Sequence, residues 1–134
     1  MKRIIIDLDN TITIHNDEPY GKKPVNQDVV NKMKMYKELG YTITIFTARN
    51  MNTFSGNIGK INVHTMPVII DWLNRNNIPY DEIIVGKPWC GTNGFYVDDK
   101  AIRPSEFISL SETEIAELLD KEVKNDSNKL CCLR

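Results

Sequence analysis

The sequence has no apolar run approaching the roughly 20 residues that cross a bilayer, so membrane insertion is not expected. An excess of one charge is missing too. Its 17 basic and 18 acidic residues leave a net charge of −1, which argues against a nucleic-acid binder or a polybasic membrane-surface protein. Cysteine is scarce: Cys90 stands alone, and Cys131 and Cys132 are adjacent, which disfavours ordinary disulfide geometry. With only His15 and His64 to join them, no zinc spacing forms. Cys131-Cys132-Leu133-Arg134 has the outline of a prenylation box, but Arg is not a usual last residue, so a solvated tail is the better reading. The three isoleucines before Asp7 are too few for a signal peptide, and a cytoplasmic location is expected.

What is present suits one folded domain. A hydrophobic fraction of 41% disfavours disorder, and 134 residues can bury roughly two-thirds of their unfolded surface. Ile4, Ile5 and Ile6 form a short apolar run ending in Asp7, as in a strand buried on both faces. Residues 8–24 are polar, with Pro19, Gly21 and Pro24, and read as a loop or irregular hairpin. Between Val25 and Leu39, Val29, Met33 and Tyr36 recur at helical spacing, with Gly40 as a stop. Tyr41 to Phe46 reads as a second strand.

Residues 49–63 hold Gly56, Gly59 and four asparagines and read as loop. Thr65 can cap a helix with Pro67 in its first turn, running to about Asn77 and burying Ile69, Ile70 and Leu73. Ile83–Val85 and Phe95–Val97 read as third and fourth strands. Ser111 and Glu114 form a capping box for a last helix toward Lys121, leaving 124–134 as a polar tail behind a single catalytic domain, 1–123. Strands alternating with helices imply an α/β fold with a mostly parallel sheet, whose ligands bind beyond the carboxyl ends of the strands.

Those ends carry the chemistry. The first strand gives Asp7-Leu8-Asp9-Asn10-Thr11, the second Thr47-Ala48-Arg49, the third Gly86-Lys87-Pro88 and the fourth Asp98-Asp99. Four carboxylates against one lysine would repel and raise one another's pKa, a strain that a divalent cation relieves. Oxygen donors without His or Cys select Mg²⁺ over zinc. Taken singly, each feature has a plainer reading: Asp-x-Asp as a solvated turn, Asp-Asp as a turn, Thr47 as a cap, Lys87 as a surface lysine. Their order and shared position at strand ends favour the joint reading. Arg49 suits either a leaving group or a surface ion pair. His15, His64 and Trp89 read more readily as solvated or packed residues.

These residues resemble the haloacid-dehalogenase (HAD) superfamily in its phosphatase branch. Asp7-Leu8-Asp9-Asn10-Thr11 is similar to its first motif, Thr47 to the second, Lys87 to the third and Asp98-Asp99 to the fourth. The stretches Gly86-Lys87-Pro88-Trp89-Cys90-Gly91 and Gly94 to Pro104 resemble small members assigned to capsular-polysaccharide biosynthesis. The resemblance implies a three-layer Rossmann-like domain. Neither interval where the family inserts a cap has room for one, so no separate cap domain is expected.

It further implies a Mg²⁺-dependent phosphomonoester hydrolase. Asp7 is the nucleophile that becomes an aspartyl-phosphate, and Asp9 the general acid and base. Thr47 and Lys87 bind the phosphoryl oxygens. Asp7, the Asp9 carbonyl, Asp98 and Asp99 hold the metal. Asn10 stands where the family usually has Gly; it tolerates the same left-handed turn, and its amide can reach the phosphate. The implied substrate is a small phosphorylated metabolite, a sugar phosphate of surface-polysaccharide assembly, and an open site is compatible with closure by a second copy of the chain. Alternatives are transfer to another acceptor, a non-catalytic module on the same fold, and a phosphorylation-receiver domain, whose motif order this sequence does not follow.

Overall fold

The computed structural model describes the backbone of residues 1–132 and the side chains of residues 1–124. It divides into two units, Met1–Trp89 and Cys90–Arg134. In the first, β1 (Arg3–Ile6), β2 (Thr42–Thr47) and β3 (Glu82–Val85) form a parallel sheet in the order β1-β2-β3. Helix α1 (Gln27–Glu38) joins β1 to β2, while α2 (Ile58–His64) and α3 (Met66–Arg75) join β2 to β3. Ile6 lies opposite Ile45, and Thr47 opposite Val85. This is a small α/β fold, a three-stranded parallel sheet flanked by helices with no separate cap.

The helices form where apolar periodicity and capping agree. Val29, Met33 and Tyr36 are buried along α1, and Gly40, at φ +93°, turns the chain out of it. Ile69, Trp72 and Leu73 do the same for α3, each contributing about 1.5–3 kcal/mol by leaving water. Sequential neighbours joined by crossovers of one hand place both connections on the same sheet face. β1 is therefore not buried on both faces as its isoleucine run implied: Ile5 is 60% exposed.

Other expectations also fail for local reasons. The asparagine-rich stretch contains α2, because Asn57 is its cap, accepting the Lys60 N–H at 3.1 Å, rather than a turn residue. Thr65 precedes α3 but makes no capping bond; its hydroxyl donates to Asn50 Oδ1 at 2.7 Å instead. Ile70 points outward, and Trp72 takes the buried position beside Ile69 and Leu73. Helix α3 ends at Arg75, two residues early.

The first loop is anchored as an irregular hairpin. Thr13 bridges Val25 in antiparallel fashion. Trp72 Nε1 donates to the Lys23 carbonyl at 2.8 Å, and Arg75 to the Gly21 carbonyl at 2.6 Å. These bonds hold the single 3-10 turn Tyr20–Lys22 against α3.

The second unit holds α4 (Pro104–Ser109) and α5 (Glu112–Cys132). The expected capping box is present: Glu114 N–H donates to Ser111 Oγ at 3.1 Å and Ser111 N–H to Glu114 Oε1 at 3.0 Å. α5 continues beyond Lys121, and the side chains of the tail expected over 124–134 lie outside the described residues from 125 on, as do 133 and 134 entirely. Phe95–Val97 is not a strand, and its three side chains are exposed.

Asp81 ties the start of β2 to α1. Its carboxylate accepts the Ile43 N–H at 2.7 Å and Lys37 Nζ at 2.8 Å. The Lys37 hydrogen bond, then that from Ile43, holds this carboxyl below the ordinary range. Asp81→Ala should cost about 1 kcal/mol at neutral pH, since solvent screens the lysine. A depressed folded pKa contributes stability above the unfolded value of about 4 and loses it as pH falls through the folded value. Urea titrations of both proteins should therefore converge in acid; a gap unchanged by pH would show that the charge contributes nothing.

Candidate active site

Three strand ends meet at one edge of the sheet in the first unit. Asp7 directly follows β1, Thr47 closes β2, and β3 is followed by Gly86 and Lys87. The Lys87 N–H donates to the Thr47 carbonyl at 3.1 Å, continuing the ladder one step past β3. Its Nζ lies 3.5 Å from Asp7 Oδ1, and Thr11 Oγ1 donates to Asp7 Oδ2 at 3.4 Å. Gly86 is required here: it sits at φ +88°, and a Cβ would stand 2.6 Å from Ile58 Cδ1. The Thr47 hydroxyl accepts the Arg49 N–H at 3.1 Å, which leaves its hydrogen available to a ligand.

The turn after β1 wraps around one carbonyl. Leu8, fully buried, accepts the N–H groups of Ile12 at 2.9 Å and Thr13 at 3.1 Å. Asn10 adopts φ +62°, the left-handed conformation a glycine would take, and its N–H donates to Thr13 Oγ1 at 2.9 Å.

Asp9 and Arg49 form an ion pair at the same edge. Arg49 Nη2 lies 2.7 Å from Asp9 Oδ1 and Nε 3.1 Å from Oδ2, a bidentate geometry. The Arg49 side chain is 1% exposed and that of Asp9 28%, so this is a buried ion pair and not the surface pair weighed from sequence. Tyr20 covers it, its ring centroid 4.2 Å from the guanidinium carbon. Nη1 of Arg49 is buried with no hydrogen-bond partner.

Beside this pair lies a pocket of about 260 Å³ lined by Pro19, Tyr20, Gly21, Arg49, Asn50, His64, Thr65 and Val68. Sequence reasoning missed both the pocket and Tyr20. Its one signal was the aromatic residue in the proline- and glycine-bearing loop, and nothing in the sequence linked that loop to Arg49.

Electrostatically Asp7 stands apart. Burial pushes its carboxyl above the ordinary range, and repulsion from Asp9 adds to this, against the pull of Lys87 and the Leu8 N–H. One lysine at 3.5 Å does not offset the burial. The strand end is thus short of positive charge, and its donors are oxygens, a chemistry that fits a hard divalent cation. Arg49 occupies both carboxylate oxygens of Asp9.

Asp98 and Asp99 lie in the second unit, both exposed, with Asp98 Oδ1 accepting the Lys100 N–H at 2.8 Å. They follow no strand, in contrast to the sequence expectation. Within neither unit do the described residues gather three His, Cys, Asp or Glu side chains around a common point. His15 and His64 are exposed and Trp89 is 48% exposed. No helix among the described residues is long and apolar enough to cross a membrane.

Neither a family model nor a curated protein matches the sequence. Among solved structures, a crystallised MCSG target from Vibrio cholerae is 52% identical, with a TM-score of 0.90 over 91% of this chain and 99% of that one. A chain of a Pnkp1/Rnl/Hen1 complex is 23% identical with a TM-score of 0.50, over 81% of this chain and 34% of that chain. That second likeness is one of fold alone.

Replacing Arg49 by Met should lower stability by about 3 kcal/mol, the low end for breaking a buried pair, because Asp9 keeps some water. Adding Asp9→Asn to that variant should recover part of the loss. Urea midpoints of the two single variants and the double variant measure the coupling; single losses that simply add would mean that the two side chains do not stabilise one another.

Proposed function

We propose that this chain, which belongs to the same family as the Vibrio cholerae protein, is a Mg²⁺-dependent phosphomonoester hydrolase of the HAD type. One observation carries the reading: Asp7, Thr47 and Lys87 stand at adjacent ends of three parallel strands, with Lys87 Nζ 3.5 Å from the Asp7 carboxylate.

Asp7 attacks phosphorus in line, forming the aspartyl-phosphate while the bond to the leaving oxygen breaks. Asp9 enters the cycle protonated and gives that proton to the leaving oxygen; as the carboxylate held by Arg49, it then takes a proton from the water that hydrolyses the intermediate. Arg49 fixes the plane of the Asp9 carboxyl for both transfers. Lys87 and the Thr47 hydroxyl hold the equatorial oxygens as charge builds on them. The motif resemblance adds the Asn10 side-chain amide as a contact to the same phosphate.

By the motif resemblance, the Asp7 carboxylate and the Asp9 carbonyl would hold Mg²⁺ from the first unit, and Asp98 and Asp99 would complete the set. When bound, the cation neutralises phosphate charge facing Asp7. The same resemblance makes sugar phosphates of surface-polysaccharide assembly the first substrates to test.

Phosphate release from p-nitrophenyl phosphate and a panel of sugar phosphates should require Mg²⁺ and stop with EDTA. Asp7→Asn should lower it at least about a thousandfold, and Asp9→Asn by roughly a hundredfold to ten-thousandfold. Asp98→Asn should raise the Mg²⁺ concentration needed for half-maximal rate. Turnover that survives in purified Asp7→Asn protein would rule out the proposed nucleophile.

A further inference from the structure

We infer that the uncovered face of the three-stranded sheet is a docking surface for the second unit of another copy of this chain, and that two copies exchange these units reciprocally. Parallel sheets occur almost only with both faces covered. The crossover helices cover one face here, where Ile43 and Ile45 are fully buried. The register places Arg3, Ile5, Thr44, Phe46, Glu82 and Ile84 on the other. Arg3, Thr44 and Glu82 hydrogen-bond to one another over its amino-terminal part. That leaves Ile5, Phe46 and Ile84 as its apolar part, with Phe46 and Ile84 toward the end where Thr47 stands.

The second unit has the complementary need. Among its described residues, Phe107 is the one buried hydrophobic side chain. Phe95 and Val97 are 80% and 87% exposed. Ile115, Leu118 and Leu119 form a half-exposed stripe along α5 at helical spacing. A unit this small with so little core needs an outside surface to pack on.

Two observations make the occupant a second copy. These exposures are those of one complete chain, so a single copy leaves both surfaces uncovered, while two copies each supply what the other lacks. The area is also sufficient. At roughly 200 Å² for a fully exposed large side chain, Ile5, Ile84, Phe95, Tyr96 and Val97 leave about 700 Å² exposed per copy. A two-fold exchange would cover about 1,400 Å², inside the range of about 1,200–2,000 Å² for stable interfaces. Such an exchange closes at two copies, and a net charge of −1 on each opposes it little. Asp98 and Asp99 directly follow Val97. On the phosphatase reading, on which this consequence alone rests, Asp98 and Asp99 of the partner subunit would complete the site at Asp7.

Sedimentation equilibrium of the full chain should give a particle of twice its 15.4 kDa mass. Chains with ¹³C-labelled isoleucine methyls, refolded together with unlabelled chains, should show isotope-filtered NOEs from Ile5 and Ile84 to the Phe95 ring of the partner subunit. Val97→Asp should weaken the dimer at least about a hundredfold, because docking would bury an unpaired carboxylate. Val63→Asp, at an exposed position of α2, should leave the dimer unchanged.

A monomer, a dimer without these cross-copy NOEs, or the same NOEs arising within one chain would overturn the exchange. A Val97→Asp protein that dimerises as the wild type does would overturn it as well. A dimer that shows the cross-copy NOEs but releases phosphate from no ester would keep the exchange and remove the phosphatase reading, and with it the shared site.

Discussion

The structure around the candidate site depends on a single buried ion pair, Arg49 with Asp9. One partner follows β1 and the other β2, so two turns 40 residues apart in sequence are locked by a pair of parallel hydrogen bonds. Desolvating both charges is costly, and an apolar pair of similar shape could match its stability. What an apolar pair could not do is fix the plane of a carboxylate. The pair is therefore better understood as an orienting device than as a stabilising one. Tyr20 completes it by excluding water from the guanidinium face, and Tyr20 is in place because Trp72 and Arg75 of α3 hold the carbonyls of Lys23 and Gly21.

Topology supplies the rest of the arrangement. Parallel strands in sequential order bring Asp7, Thr47 and Lys87 to one sheet edge without any of them being close in sequence. Between β3 and Lys87 the chain turns through Gly86 at φ +88°, a conformation that L side chains rarely adopt. The same order leaves the opposite sheet face without crossover helices, which accounts for the exposure of Ile5. The geometry that concentrates the polar groups at one edge thus also determines which face of the first unit lacks cover.

Much of this was legible in the residues themselves. The helical spacing of Val29, Met33 and Tyr36, the glycine after α1, and the strand runs before Asp7 and Thr47 are local signals, and the structure follows them. Asn10 was readable as a left-handed turn residue because few others tolerate that conformation. Where reading failed, the deciding partner was distant. Phe95–Val97 has strand composition, but a strand exists only by pairing, and no propensity reports that. Asn57 looks like a turn residue until the N–H it accepts is known. Arg49 was readable as a cation suited to anions, but not as the partner of Asp9 beneath Tyr20.

The two carboxylates of the first motif are chemically alike and two residues apart, yet their surroundings differ in kind. Asp7 faces one lysine at 3.5 Å and a threonine hydroxyl at 3.4 Å, contacts long enough to leave its oxygens open to an incoming group. Asp9 is gripped at both oxygens by a guanidinium that is itself immobilised. A nucleophile must form a new bond and let it go, so loose partners suit it. A proton carrier must stay at a fixed distance from first a leaving oxygen and then a water, so a rigid partner suits it. On the proposed reading this contrast divides the labour between Asp7 and Asp9.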